Sequence, residues 1–462
     1  MISLAKHYPH YRALLSLGLP IVVGQVGNIV LGFADTLMVG HHSMQELAAA
    51  SFVNNMFMLF VVFSVGFANG VTPIVGRHHG RGEVSLIAPA LRDGLLANTV
   101  FALFLLSLLT VFYFSLDYMG QPEELLPMMR PYLLVNILSM PFICWANTFR
   151  QFFDALGQTK VSMCVLLGGN VLNIFGNYLL IYGAWGFPEL GLLGAGLSTV
   201  FSRVLMALAF FLVFLCARRY KVYSRGFFSG GMTRAGFAHF NAVSWPSGLQ
   251  LVMESAAFSL AALLVGWLGA TALAAHQVMI TVSQLFYMVY TGLASAVAIR
   301  VSHFHGQHDQ ASVRLSASSG FQLIVVVACV VALPVFLLRN TVSYWFTDSA
   351  EVCHLVSQTI ILLILQQLGD GMQCTYANAL RGLGCVKPLV RIAFVSYFVL
   401  SLPLSWLFGI YLGFGLRGVW LGFPVSLIFA GIAFFTAFNR QMRLEDASAL
   451  PSQGIERRRD GK

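Results

Sequence analysis

The chain has 462 residues, 58% of them hydrophobic and only 10% charged, and its formal net charge is +9. Soluble domains run about 45–50% apolar and about 25% charged. With a mean hydropathy of +0.77, this balance excludes a soluble enzyme, a nucleic-acid binder and a disordered protein, and leaves an integral membrane protein.

A bilayer core of about 30 Å takes about 20 helical residues to cross. Lys6 and Arg12 precede the first apolar run, from Leu14 to Gly40. That run is too long for a signal-peptide core and holds Asp35, so it reads as a retained first span. Eleven further runs begin near residues 47, 88, 128, 160, 191, 239, 273, 313, 352, 387 and 415. None shows the period-2 alternation of a barrel strand, and helices are the other way to satisfy backbone groups in lipid. The expected fold is an all-α integral membrane protein with twelve transmembrane helices in two pseudo-symmetric six-helix lobes. The lobes are placed at 1–217 and 239–440, joined by a basic linker at 218–238 and followed by a polar tail at 441–462, expected to be disordered. The seven cysteines are odd in number, lack Cys-x-x-Cys spacing and mostly lie in apolar runs, so they read as small packing residues.

Taken along the chain, the polar residues inside these runs are few. Span 1 carries Asp35. Span 5 carries Asn170, Asn173 and Asn177, and span 6 carries Thr199. Asn173 and Asn177 are four apart and share a face; with Asp35 and Thr199 they offer only oxygen ligands, which suits Na⁺ or a proton relay. Hydrogen bonding between helices is the structural alternative. Span 7 carries Glu254, with Phe258 one turn on, so a bound cation can meet both a carboxylate and a ring. Span 10 carries Asp370 between Gly369 and Gly371, with Gln366 four residues earlier on the same face. A charge at the bilayer centre costs about 2.5–3.5 kcal/mol, so such acids usually face a cavity and serve ion or proton movement.

The two halves match at an offset of 226 residues: 11 identities occur over 34 ungapped positions, from Leu47/Leu273 to Gly80/Gly306. Pro20 and Pro246 are equivalent in the first span of each half and read as bending points. Six spans per half is even, so both halves enter the membrane in the same direction. The acids are not duplicated: Asn28 stands at the position of Glu254, Ala261 at that of Asp35, and Ile143–Cys144 at that of Asp370. His78, His79, His303, His305 and His308 occupy equivalent loops and read as helix-end residues, with no metal site expected. With twelve spans, 23 of the 27 Lys and Arg residues fall on one side, with the termini, and three on the other. By the positive-inside rule both termini are expected in the cytoplasm, and the basic charge serves topology rather than nucleic acid.

This pattern resembles the multidrug and toxin extrusion (MATE) transporters, in particular their NorM-like branch. The resemblance covers nearly the whole chain. It is carried by Leu19-Pro20, by Ala275-His276-Gln277 opening span 8, by Ala379-Leu380-Arg381-Gly382, by Asp154 to Lys160, and by the placement of the acids. It implies alternating-access export of organic cations and drugs in exchange for Na⁺ or H⁺ across the bacterial inner membrane. No cofactor beyond the coupling ion is implied, and no enzymatic activity. Asp35, Asn173, Asn177 and Thr199 match the family's N-lobe cation site. Glu254 and Asp370 match its C-lobe acids, with Gln366, Phe258 and Gln277 beside them; some members have Tyr where Gln366 stands. A flippase for lipid-linked sugars would call for Arg and Lys lining a cavity, and only Arg203 lies inside a span. A membrane-embedded enzyme would call for paired acids or a Ser-His pair within the spans; no span offers two acids near each other in sequence, and the duplicated architecture suits rocking lobes better.

Overall fold

The computed structural model describes residues 4–228, 231 and 233–456, with side chains from 6 to 447. Among the described residues, twelve helices are long and apolar enough to cross a membrane: Lys6–His42, Met44–Gly80, Val84–Met119, Leu126–Ala155, Thr159–Ile181, Gly191–Cys216, Arg234–Gly266, Ala270–Gly306, Gln310–Leu337, Ala350–Gly382, Lys387–Tyr411 and Gly415–Ala447. They are spans 1 to 12. Several begin before the apolar run does, because a helix continues through the polar turns that stand outside hydrocarbon.

The sequence repeat is a structural repeat. Spans 2 and 8 are both 37 residues long and coincide at both ends after a shift of 226. Their interiors differ. Span 8 is one unbroken helix, whereas span 2 breaks into Met44–Ala68 and Val71–Gly80. Gly70 lies so close to Ser244 that a Cβ there would overlap the serine side chain. At the break, Gln151 donates through Nε2 to Asn69 Oδ1 (2.7 Å) and accepts at Oε1 from Thr72 Oγ1 (2.8 Å). Span 11 departs from α geometry more strongly, with π-helical stretches at Phe394–Ser401 and Leu407–Tyr411 around Leu402–Trp406. Pro403 removes a backbone donor there. Its counterpart, span 5, is a regular α-helix.

The compact units do not divide at the linker, as the sequence suggested. One unit runs Leu17–Val252, here the N-lobe; the other joins residues up to Ser16 with Met253 onward, here the C-lobe. Both boundaries fall within continuous helices, because packing rather than loop position sets them. The first turns of span 1 bond to span 9: His7 Nδ1 lies 2.6 Å from Ser319 Oγ, His10 Nδ1 lies 3.1 Å from Ser316 Oγ, and Tyr11 donates to Gln322. The first half of span 7 belongs to the N-lobe core. Trp245 meets Phe63, Phe67 and Phe101 at ring distances of 5.4–5.7 Å, and a Cβ on Gly66 would lie 2.7 Å from Gly248 Cα.

The basic linker holds a helix, Lys221–Phe228. The tail is not disordered where it leaves span 12: the helix runs Gly415–Glu456, with Arg314 bonded to Asp446 (2.5 Å) and Gln310 to Glu445 (2.8 Å). Residues 457–462 of the tail lie outside the described residues. All seven cysteines are free.

Candidate functional site

In the N-lobe, spans 1, 5 and 6 bring the predicted residues together. Asn177, fully buried, donates through Nδ2 to Asp35 Oδ1 at 2.5 Å. One turn earlier Asn173 donates to Thr199 Oγ1 and Ser202 Oγ, both at 3.2 Å. Thr199 in turn donates to the Ala195 carbonyl (2.9 Å). The amide oxygens of Asn173 and Asn177 have no hydrogen-bond partner among the described residues. An acidic oxygen, two amide oxygens and a hydroxyl therefore lie within two adjacent turns, the kind of oxygen set a small hard cation uses. The sequence reading treated Arg203 only as a lone basic residue. The structure places it within electrostatic range of Asp35, donating to Ser139 Oγ (2.6 Å) and Asn136 Oδ1 (3.3 Å), with its guanidinium 5.4 Å from the Phe57 ring.

In the C-lobe, Glu254 and Asp370 are both deeply buried, 6% and 5% exposed. Tyr287, Cys374 and Tyr397 each lie within electrostatic range of both Glu254 and Asp370, and the Cys374 thiol points at Asp370 Oδ1 across 3.7 Å. Around them, the side-chain oxygens of Gln366, Gln367 and Tyr290 are buried without hydrogen-bond partners among the described residues, and Gln373 is within hydrogen-bonding reach of Tyr397. Buried polar groups are nearly always paired, so this concentration of unmet acceptors and hydroxyls around two acids is the most unusual polar feature of the lobe. Phe258 is half-buried and stacks on Phe423 (5.0 Å between centroids, 11° between planes). Gln277 is not brought to the cluster: it is exposed on span 8, while its neighbour His276 faces the core and accepts from Trp420 Nε1 (3.1 Å).

Three contributors escaped the sequence reading. Tyr287 and Tyr397 sit in apolar, aromatic runs where a tyrosine carries no special signal. The π-helical register of span 11 packs Tyr397 with Ala257 and Met253, on either side of Glu254. Arg381, counted above as a loop cation, is only 5% exposed and within electrostatic range of Glu254. Pro20 and Pro246 both lie inside unbroken helices. The loop histidines take helix-end roles: His78 Nδ1 lies 2.6 Å from a Glu83 oxygen, and His305 Nδ1 3.4 Å from a Glu445 oxygen. Among the described residues no three metal-ligating side chains gather.

Comparison with known proteins adds a separate line. The sequence profile of the MatE family matches residues 20–179 and 246–407, so its two matches begin 226 residues apart, at the offset of the internal repeat. A relative named multidrug resistance protein NorM, from Photobacterium profundum, is 28% identical over 428 residues, 91% of this chain and 93% of its own. One named multidrug resistance protein MdtK, from Photorhabdus laumondii, is 27% identical over 458 residues, 96% of this chain and 98% of its own. Among solved structures, an outward-facing multidrug resistance MATE family transporter of the MOP superfamily superposes with a TM-score of 0.87 at 18% identity, covering 95% of this chain and 97% of that one.

Proposed function

Because the chain belongs to the MatE family, we propose that it is a multidrug efflux transporter that exports organic cations and drugs in exchange for Na⁺ or H⁺. It is a membrane transporter and not an enzyme. The single observation that carries the exchange reading is the pair of buried acids, Glu254 and Asp370, set among unpartnered amide and phenol oxygens. Such a site has acceptor capacity that a dehydrated cation or a cationic drug would fill, and both compete for the same negative charge. Binding shifts a two-state protein only through differential affinity for its states, so the two cargoes must favour opposite arrangements. One elementary charge crossing 100 mV supplies about 2.3 kcal/mol, enough for one coupling ion to sustain a useful drug gradient. The N-lobe set of Asp35, Asn173, Asn177 and Thr199 is read as a second cation position. On this reading the protein lies in the bacterial inner membrane with both termini in the cytoplasm, the side that carries the 23 basic residues. The test is ethidium efflux from proteoliposomes under separately imposed Na⁺ and pH gradients. Uphill efflux driven by one of them is the expected result, and efflux indifferent to both would overturn the exchange reading.

A further inference from the structure

At one end of span 3, the linker helix Lys221–Phe228 packs across the first two turns of the span. Gly226 allows the approach: a Cβ there would lie 3.2 Å from the Ala88 side chain. The helix is amphipathic in three directions. Tyr220, just before it, and Ser224 are buried, whereas Val222 and Phe228 are 64% and 67% exposed, and Lys221 and Arg225 are exposed beside them. A short helix that shows water both cations and large apolar side chains suits the headgroup boundary of a bilayer. Between this helix and span 3 opens a groove of about 580 Å³, walled by Val84, Ala88, Pro89 and Val222, with Ser85 and Arg92 as its polar residues. Arg92 bridges the two elements, donating to the carbonyls of Phe227 (3.3 Å) and Gly231 (2.5 Å).

The equivalent corner of the C-lobe shows what this one lacks. Span 9 begins 226 residues after span 3, and there the chain supplies its own anions, Glu445 to Gln310 and Asp446 to Arg314. The N-lobe corner gathers Arg92, Lys221 and Arg225, with Arg218 and Arg219 just before them, and no acid lines its groove. The acids that flank the groove in sequence are engaged within the chain: Glu83 by His78 (2.6 Å) and Arg81 (3.9 Å), and Asp93 by Thr233 Oγ1 (3.4 Å), within electrostatic range of Arg92. We propose that this groove seats an anionic phospholipid, with an acyl chain along Val84, Ala88, Pro89 and Val222 and the phosphate at the basic face of the linker helix. The lipid reinforces a tie that Arg92 and the Thr233–Asp93 bond already make between the segment after the sixth span and the start of the third, the counterpart of the Glu445 and Asp446 bonds in the C-lobe.

The test uses the full-length protein in neutral detergent with phosphatidylglycerol, phosphatidylcholine of the same chains, or glycerol 3-phosphate as the headgroup alone. Native mass spectrometry reads lipid retention, and thermal unfolding reads stabilisation. Phosphatidylglycerol is expected to be retained and to raise the unfolding temperature, and the other two probes are not. A Lys221→Gln/Arg225→Gln pair is expected to weaken phosphatidylglycerol about 25-fold, since each basic residue near an anionic surface is worth about fivefold. Ser85→Phe, which fills the groove and leaves every charge in place, is expected to abolish retention. Equal retention of phosphatidylcholine, equal stabilisation by glycerol 3-phosphate, or undiminished retention by Ser85→Phe would each overturn the proposal. Loss in the charge variant alone would also overturn it, by reducing the site to diffuse surface attraction.

Discussion

The two lobes share a scaffold and fill it with opposite polar logic. In the N-lobe the groups at the positions of the C-lobe acids are neutral and satisfied. Asn28, equivalent to Glu254, accepts from Asn170 Nδ2 (3.2 Å), and Cys144, in the region equivalent to Asp370, lies 3.2 Å from Ser64 Oγ. The N-lobe's own acid, Asp35, is half-buried and already held by Asn177. In the C-lobe both acids are buried and the amides and phenols near them keep unmet acceptors. At these positions the duplicated fold carries a closed pair in the N-lobe and an open network in the C-lobe, while the N-lobe's own unmet acceptors, on Asn173 and Asn177, lie elsewhere. An unsatisfied buried group costs about 1–3 kcal/mol, and a cost that the other lobe avoids at the same positions points to a ligand that relieves it.

The largest effect that would break this contrast lies at the acids. A cation left without its carboxylate is an uncompensated charge, which costs about 2.5–3.5 kcal/mol at the bilayer centre, about two decades in affinity. Glu254→Gln and Asp370→Asn are therefore expected to lower gradient-driven ethidium efflux by about 100-fold. Asp35→Asn is expected to lower it less, since Asn177 and Arg203 already engage that carboxylate. Equal losses at all three positions would erase the distinction between the lobes. Wild-type efflux from the Glu254 and Asp370 variants would remove the C-lobe from ion coupling.

The next test looks for opposite signs. Gln366→Leu replaces a buried amide whose oxygen has no partner, so it is expected to raise stability by about 1–3 kcal/mol while weakening cation-dependent efflux. Asn177→Leu removes the 2.5 Å donor to Asp35 and is expected to lower stability by a similar amount. Thermal unfolding in detergent, followed by intrinsic fluorescence, reads both. Two changes of the same sign would mean that the glutamine is satisfied by its surroundings and that the open network is not open.

Most of the scaffold was legible in the sequence, because hydrocarbon leaves a strong mark on composition. The twelve spans follow from runs of apolar residues, and the repeat from identities such as His79-Gly80 and His305-Gly306. Asp35, Glu254 and Asp370 stood out because ionised groups are so rare in such runs. What hydropathy does not carry is lateral packing. Trp245 and Gly248 commit half of span 7 to the N-lobe, and no count of apolar residues reveals that. Tyr397 reaches the acids only through the π-helical register of span 11, which no helical periodicity anticipates. Gln277 illustrates the reverse: a motif put it beside the site, and the structure leaves it exposed on span 8 while its neighbour His276 turns inward. The tail misled by composition, since the polarity of Glu445 and Asp446 is what pairs them with Gln310 and Arg314.

The smallest expected effect separates the lobes at one equivalent pair, Glu83 and Asp309, each the residue before the third span of its half. Asp309 caps its helix, accepting from the Ser312 amide at 3.0 Å, and hydrogen bonds from Ser312, its side chain first and then its amide, hold the carboxyl below the ordinary aspartate range. Glu83 makes no cap bond; it turns to His78, whose hydrogen bond lowers its carboxyl in the same direction. Loss of an aspartate N-cap costs about 1 kcal/mol, so Asp309→Ala is expected to lower stability by about that much. Asp309→Asn, which keeps the cap, should change it little near neutral pH, and Glu83→Ala should leave it unchanged. The sign with pH follows from the depressed carboxyl. The ionised cap contributes fully above the unfolded-state aspartate value of about 4 and is lost as pH falls through the lower folded-state value. The gap between wild type and Asp309→Ala should therefore narrow on acidification, measured as the difference in unfolding temperature between neutral and acidic buffer. A gap that stays constant would assign the cost to helix propensity rather than to the cap, and the two lobes would then start their third spans alike.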